Sequence, residues 1–136
     1  MSILTKEEKK EVAKHIYKYF EYKREIAEYR EKVLQGSRPM YGEIGGGHSY
    51  HSDNTAIKAI KLADPPPEIK EKIKWVNAIE KAINRFRGTN KGKIIQMKYF
   101  DELDDYYIMK KIGKQKTQYY QWKDEILDYI GIKYGF

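Results

Sequence analysis

A seven-residue recurrence of apolar side chains near the N-terminus constrains the fold more than any other feature of the sequence. Four residues carry the recurrence: Val12, Tyr19, Ile26 and Val33. This spacing is typical of one helix face and predicts a long N-terminal helix of about seven turns. Such a stripe has to pack either against the rest of the chain or against a second subunit. The sequence leaves both alternatives open.

Capping residues and prolines mark where helices begin and end. Thr5 and Glu8 have the spacing of a capping box, so the first helix should begin directly after Thr5. Three prolines at 65–67 supply no amide donors, and a second long helix is predicted from Glu68 to Gly88. Its predicted buried face consists of Ile69, Ile73, Val76, Ile83 and Phe86, with Trp75 and Ile79 at the flanks.

After Gly88, three short helices are predicted: residues 91–100, residues 101–112 and a last helix that begins near Gln115 or Thr117. Gly113 separates the last two. In the last helix, Tyr119, Trp122, Ile126 and Ile130 are spaced to face the core. No stretch indicates a strand long enough to build a sheet, so we predict an all-α fold.

A glycine-rich segment interrupts this helical pattern. Residues 40–54 read MYGEIGGGHSYHSDN and have little apolar periodicity, which predicts a loop or flexible hinge around Gly42–Gly47. A short amphipathic helix over 55–63 should follow. We therefore predict an N-terminal helical and oligomerisation segment over 1–66 and a C-terminal helical domain over 67–136.

Composition narrows the class of protein. The chain has no cysteine, which excludes disulfide scaffolds, cysteine-bound zinc and thiol nucleophiles, and it predicts a reducing, cytoplasmic setting. No apolar run approaches the roughly 20 residues that a membrane helix needs, so no membrane partner is expected. A net charge of +7 favours a polyanionic partner such as nucleic acid.

The charge is distributed unevenly near the C-terminus. Residues 110–123 hold five lysines and no acid, whereas residues 101–105 hold four acids. A short helix, a glycine-containing turn and a second helix that begins with polar and basic residues form the helix-turn-helix pattern. We therefore predict that 67–136 is a helix-turn-helix DNA-binding domain. Glutamine amides suit adenine edges, lysines suit phosphates or guanine, and Tyr120 suits a phosphate or a thymine methyl. The predicted DNA-binding residues are Lys110, Lys111, Lys114, Gln115, Lys116, Thr117, Gln118, Tyr120, Gln121 and Lys123.

The same region carries a family resemblance. The segment QKTQYYQWK at 115–123, followed by Ile126-Leu127 and by Ile130-Gly131-Ile132, resembles the C-terminal helix-turn-helix of RinA/ArpU-like phage transcriptional regulators. Shorter matches precede it in the same order as in that family: Ile44-Gly45-Gly46, Ala78-Ile79-Glu80 and Tyr99-Phe100. Lys114, Gln115 and Gln118 differ from the residues usual in the family, which has a buried aliphatic residue, a serine and a threonine there.

The resemblance implies a fold and a function. In that family the C-terminal domain is similar to region 4 of bacterial sigma factors. The protein would then be a sequence-specific activator of phage or prophage late genes that binds a promoter-proximal site and helps the host RNA polymerase. Because one recognition helix buries little surface, a homodimer reading two half-sites of double-stranded DNA is expected.

Enzymatic interpretations have weaker support, so we predict no catalytic residue, no metal ligand and no cofactor. Gly42–Gly47 lacks the lysine and hydroxyl of a phosphate-binding loop, and a hinge explains it better. His48, His51 and Asp53 lack a helix or a further remote ligand that would align them on a metal. The acids at 101–105 are explained by the dipole of the helix that they begin.

Two other functions compete with the regulator. A phage small terminase subunit is also helical and contains a helix-turn-helix, but it assembles into rings and usually carries the motif at its N-terminus. A protein-binding adaptor would use the seven-residue stripe and show no salt-dependent binding to duplex DNA.

Overall fold

Every element that the structure describes is a helix. The computed structural model describes residues 3–36 and 47–136. It contains α1 (Lys6–Tyr17), α2 (Tyr19–Gly36), α3 (Gly47–Ala63), α4 (Pro67–Arg85), α5 (Asn90–Ile94), a π-helix (Ile95–Phe100), α6 (Asp105–Ile112) and α7 (Lys116–Tyr134). Over these residues there is no strand, and the predicted all-α class is confirmed.

The chain forms two compact units. The first unit contains Met1–Phe20 and Lys74–Phe136, and the second contains Glu21–Ile73. This division follows packing. The predicted functional division into 1–66 and 67–136 concerns oligomerisation and DNA binding, and it stays a prediction.

The predicted single N-terminal helix is wrong, because it breaks at Lys18 into α1 and α2. The capping box that begins α1 is present, with the Thr5 hydroxyl accepting from the Glu8 amide and the Glu8 carboxylate accepting from the Thr5 amide. Tyr17 packs against Tyr99 and Tyr19 against Phe100, each with ring centroids 5.2 Å apart. On a regular helix, residues two apart point about 200° apart. The break therefore lets Tyr17 and Tyr19 contact the same π-helix.

The seven-residue stripe is largely buried within the chain itself. Val12, Tyr19 and Ile26 are buried, and Val33 is half-buried. The sequence left open whether the stripe packs against the rest of the chain or against a second subunit. In the structure most of it packs against the rest of the chain.

The helix α3 begins at Gly47, eight residues before the predicted start at residue 55. The predicted loop over 40–54 is therefore wrong for residues 47–54. Residues 48–54 contain neither glycine nor proline, the two residues that oppose a helix most strongly, so a helix can form there despite the missing apolar periodicity. Residues 37–46, with most of the predicted hinge, lie outside the described residues.

The buried face of α4 is rotated from the predicted one. Trp75, Ile79 and their neighbours Val76, Ala78 and Ala82 are buried, whereas Ile69, Ile73, Ile83 and Phe86 are half-buried. Trp75 lies between two rings: the His15 ring stacks on it at 4.1 Å and the Tyr134 ring at 3.8 Å. The two flanking rings come from distant positions in the chain, which is why periodicity within α4 misplaced the centre of its face.

Helices α1 and α7 pack together in the first unit. The buried carboxylate of Asp128 accepts hydrogen bonds from the backbone amides of Ile3 and Leu4, both at 3.1 Å. Gly131 makes room for Leu4, because a β-carbon at Gly131 would collide with the Leu4 side chain. These contacts hold the start of α1 against the carboxyl half of α7.

The second unit contains most of α2, all of α3 and the start of α4. The Tyr29 hydroxyl donates to the Lys61 carbonyl at 3.0 Å, and Lys72 forms an ion pair with Glu25. Ile57 and Ile60 of α3 are exposed. Within the described parts of the chain, no helix is both long and apolar enough to cross a bilayer.

Candidate nucleic-acid interface

Helices α6 and α7 are joined by a tight turn at Gly113. Gly113 has φ +70°, in the left-handed region that favours glycine. Its amide and that of Lys114 donate to the Met109 carbonyl at 2.9 and 3.2 Å, which closes the end of α6. Gln115 precedes α7 with extended backbone, and its side chain makes no capping hydrogen bond. The side-chain amide of Gln115 therefore does not cap the start of α7.

One face of α7 anchors it in the first unit. Tyr119, Ile126 and Ile130 are fully buried, as the sequence predicted, whereas Trp122 is half-buried. Because these residues lie on one side of α7, the side that carries residues 117 and 121 points away from the core.

The structure leaves most of the predicted DNA-binding residues exposed. Gln118 and Lys123 are half-buried. The exposed ones are Lys110, Lys111, Lys114, Gln115, Lys116, Thr117, Tyr120 and Gln121. Four of them, Lys116, Thr117, Tyr120 and Gln121, border one surface depression of about 570 Å³, which we call the α7 depression. Asp124, Glu125 and Asp128 border its other end.

The carboxylate of Asp105 connects α6 to α7. Its Oδ1 accepts from the Tyr119 hydroxyl at 2.5 Å and lies 3.1 Å from Lys98 Nζ and 3.6 Å from Lys123 Nζ. Its Oδ2 lies 3.4 Å from the Tyr120 hydroxyl. One residue at the start of α6 thus ties together the π-helix and the second turn of α7.

The pKa values in this cluster follow from burial and from these contacts. Burial opposes ionisation of Asp105, but hydrogen bonds from Tyr119 and Lys98 outweigh it and hold its pKa below the ordinary 3.8. Burial lowers the pKa of Lys123 and is only partly offset by Asp105. Burial, together with the hydrogen bond to Asp105, raises the pKa of Tyr119, which therefore stays a neutral donor.

Lys123 differs from the other predicted lysines. Its side chain is only 16% exposed, and its ammonium lies 4.9 Å from the centre of the Tyr120 ring and beside Asp105. Lys110, Lys111 and Lys114 instead lie over exposed or half-buried rings of Tyr106, Tyr107 and Trp122, at 5.2, 5.7 and 5.9 Å. A cation–π contact orients a lysine without neutralising its charge, so these three remain able to attract an anion.

Sequence reasoning missed that α1 borders this region. Lys6, Lys9 and Lys10 of α1 lie in a cleft with Tyr120 and Lys123 of α7. The signal present in the sequence is the run of lysines at 6, 9 and 10, but only the packing of α1 on α7 relates it to residues more than 100 positions away.

The metal sites considered from the sequence have no support among the described residues. Among the side chains that the structure describes, no three His, Asp or Glu residues come together as metal ligands would. The side chains of His48, His51 and Asp53 lie outside the described part. Asp101, from the acidic segment, accepts a hydrogen bond from Gln96 at 3.0 Å.

Comparison with known proteins gives one match. Residues 34–130, more than two thirds of the chain, match a family described as "Protein of unknown function (DUF1492)". No curated protein and no solved structure matches the chain.

Proposed function

The chain belongs to the DUF1492 family, and from its geometry we propose that it is a sequence-specific double-stranded DNA-binding regulator of transcription. In this proposal α6, the turn at Gly113 and α7 act as a helix-turn-helix, with α7 in the major groove. The proposal assigns no catalytic step to the chain.

The observation that carries the proposal is the contrast between two sides of the same turns of α7. Tyr119 is buried and holds the helix in the core, while Thr117 and Gln121 are exposed on the other side. A helix anchored in this way presents its first turns rigidly, as base recognition requires. Had the fold covered Lys116, Thr117 and Gln121, the proposal would have no contact surface.

The positions of the exposed lysines support the proposal that the amino-terminal turns of α7 face the DNA. Lys110 and Lys111 at the end of α6, Lys114 in the turn and Lys116 at the start of α7 are all exposed. Phosphate contacts by lysines fix the position of a protein on the duplex, and polar side chains on the helix face then contact base edges. Lys123 is placed to hold Asp105 and has a smaller part in binding.

The finer function rests on the resemblance to RinA/ArpU-like regulators. It supports activation of phage or prophage late genes together with the host RNA polymerase, through a domain similar to sigma region 4. A homodimer would supply two recognition helices to two half-sites.

Selection from random duplexes tests the proposal. The full chain is mixed with a random-sequence duplex pool, bound DNA is recovered and sequenced, and binding to the enriched sequence is then measured by filter retention over a range of salt. We expect enrichment of a defined sequence and an affinity that falls steeply with salt. Binding without enrichment, or no binding, would contradict the proposal. A ring of many subunits in solution would instead favour a small terminase subunit.

Lys116→Ala identifies the surface. We expect about tenfold weaker binding to every duplex and a salt slope that is shallower by about 0.9, because one phosphate contact is lost. Lys133→Ala is the matched control, since Lys133 is an exposed lysine at the other end of the same helix. Equal effects of the two substitutions would contradict the assignment of the amino-terminal turns.

A further inference from the structure

A second basic surface lies beside the α7 depression. It is a cleft of about 300 Å³ formed by α1, the π-helix and α7, which we call the lysine cleft. Five lysines border it: Lys6, Lys9, Lys10, Lys98 and Lys123. Asp124 is the one acidic residue among those that line it. Neither the predicted roles of the N-terminal segment nor the proposed helix-turn-helix accounts for this concentration of positive charge.

The acids nearby neutralise only some of these lysines. Lys9 Nζ lies 3.3 Å from an Asp124 oxygen. Lys98 and Lys123 share the carboxylate of Asp105. Lys6 and Lys10 are exposed, one turn apart on α1, and neither forms an ion pair within residues 3–36 and 47–136. The cleft therefore presents two uncompensated ammonium groups at its rim.

The lysine cleft and the α7 depression are adjacent. Tyr120 and Asp124 border both of them. A ligand that occupies the depression therefore passes next to Lys10 and Lys6 if it extends beyond Tyr120. A DNA strand is such a ligand, because it is long and carries an anionic group on every nucleotide.

Buried contacts hold α1 in a fixed position relative to α7. Asp128 of α7 holds the Ile3 and Leu4 amides, and Val12 and Ile16 of α1 are fully buried. The lysines of α1 are thus carried on a rigid element at a set distance from the base-reading face. Preorganised charges of this kind bind an anionic backbone without a large cost in ordering.

We propose that α1 is a second DNA-contacting element, in which the lysine cleft binds backbone phosphates of the duplex whose bases α7 contacts. Lys6 and Lys10 are the phosphate ligands, and Tyr120 lies at the junction between backbone and base contacts. This inference rests on the proposed function. It gives the first helix a role in DNA binding besides the oligomerisation predicted for the N-terminal segment.

The experiment compares full-length variants in filter binding to a random-sequence duplex of about 30 base pairs, or three helical turns. Lys6→Gln/Lys10→Gln removes both uncompensated charges. We expect about a hundredfold weaker binding, since each lost phosphate contact costs about tenfold, and a salt slope shallower by about 1.8, since each contact contributes about 0.9. Lys6→Arg/Lys10→Arg keeps the charges and should bind as the wild type does.

Lys81→Gln is the matched control, because Lys81 is an exposed lysine of the same compact unit that does not line the lysine cleft. Thermal unfolding followed by circular dichroism should give the same midpoint for all of these variants, since Lys6 and Lys10 make no ion pair in the described chain. The inference is supported if only the double glutamine variant loses affinity and salt dependence.

Three results would overturn the inference. If the double glutamine variant binds as the wild type does while Lys116→Ala binds weakly, the lysine cleft has no role and the proposed function stands. If the arginine variant is weakened as much as the glutamine variant, the lysines act through structure and not through charge. If the wild type binds no duplex, the proposed function fails as well.

Discussion

The acidic side chains in the carboxyl half of α7 make contacts inside the compact unit, whereas Lys116 in the amino half is exposed. In the carboxyl half, Asp124 pairs with Lys9 at 3.3 Å, Glu125 pairs with Lys91 at 3.5 Å, and Asp128 holds two backbone amides. In the amino half, Lys116 is exposed, and the neighbouring Thr117 and Gln121 are exposed with it. The acids of the carboxyl half therefore help to hold the compact unit together. In the amino half, Tyr119 and Lys123 also make contacts inside the unit, but the side that carries Lys116, Thr117 and Gln121 is left available to a ligand.

This contrast separates stability from binding along a single helix. Substitutions in the carboxyl half should change the free energy of unfolding, and substitutions in the amino half should change affinity or sequence preference. A substitution in the carboxyl half that changed only affinity, or one in the amino half that changed only stability, would contradict this separation.

Asp128→Ala should have the largest effect. It leaves two backbone amides at the start of α1 without their acceptor, and we expect a loss of about 3 kcal/mol in the free energy of unfolding. Urea denaturation followed by circular dichroism measures it. Glu125→Ala is the control, since Glu125 pairs near the surface and should cost under about 1 kcal/mol. Similar losses in the two variants would contradict the structural role of Asp128.

Asp105→Asn should have the second largest effect, and its effect on the free energy of unfolding should depend on pH. The folded chain holds the pKa of Asp105 below 3.8, so the unfolded chain takes up a proton first as the pH falls. The stabilisation is complete above about pH 4 and is lost progressively below it. Asp105→Asn should lower the free energy of unfolding by about 2 kcal/mol at pH 7, with a difference from the wild type that shrinks towards pH 2.

Asp104→Asn provides the comparison for that measurement. Asp104 is the neighbouring carboxylate, it is exposed, and it makes no capping hydrogen bond. An acid dependence that changes as much in Asp104→Asn as in Asp105→Asn would show that nonspecific charge, and not the contacts with Tyr119 and Lys98, causes the effect.

The smallest expected effect distinguishes two glutamines within the amino half. Gln121 is exposed in the α7 depression, whereas Gln118 is half-buried and lies outside it. Gln121→Ala should change which bases are enriched at one or two positions by about fivefold, with an unchanged salt slope. Gln118→Ala should change the enrichment less. The reverse order would place the base-contacting face on the other side of α7.

Local signals in the sequence predicted local structure well. The capping box at Thr5, the turn at Gly113 and the burial of Tyr119, Ile126 and Ile130 all depend on residues within a few positions of one another. Their physical causes, which are hydrogen bonds near helix ends, backbone conformation and helix periodicity, operate over the same short range. For that reason the helical class, the carboxyl end of α6 and the start of α7 followed from the sequence, whereas α6 begins at Asp105 and not at the predicted residue 101.

Features that depend on distant contacts did not follow from it. The break at Lys18 serves the packing of Tyr17 and Tyr19 against residues about 80 positions away, and Trp75 is central in its helix face because His15 and Tyr134 flank it. Lys123 belongs to a lysine run in the sequence, yet the carboxylate beside it comes from another helix. Pairing of charges across helices depends on how the helices pack, which a charge count does not reveal.

The stacking of Trp75 between two rings has a spectroscopic consequence. The chain has two tryptophans, and Trp75 lies buried between His15 and Tyr134 while Trp122 lies half-buried near Lys114. Emission from Trp75 is therefore sensitive to whether α1 and the end of α7 remain in place, and emission from Trp122 is sensitive to what approaches the turn. Replacing either indole by phenylalanine leaves a single tryptophan, whose emission can be excited separately from that of the tyrosines, so the two halves of α7 can be observed one at a time.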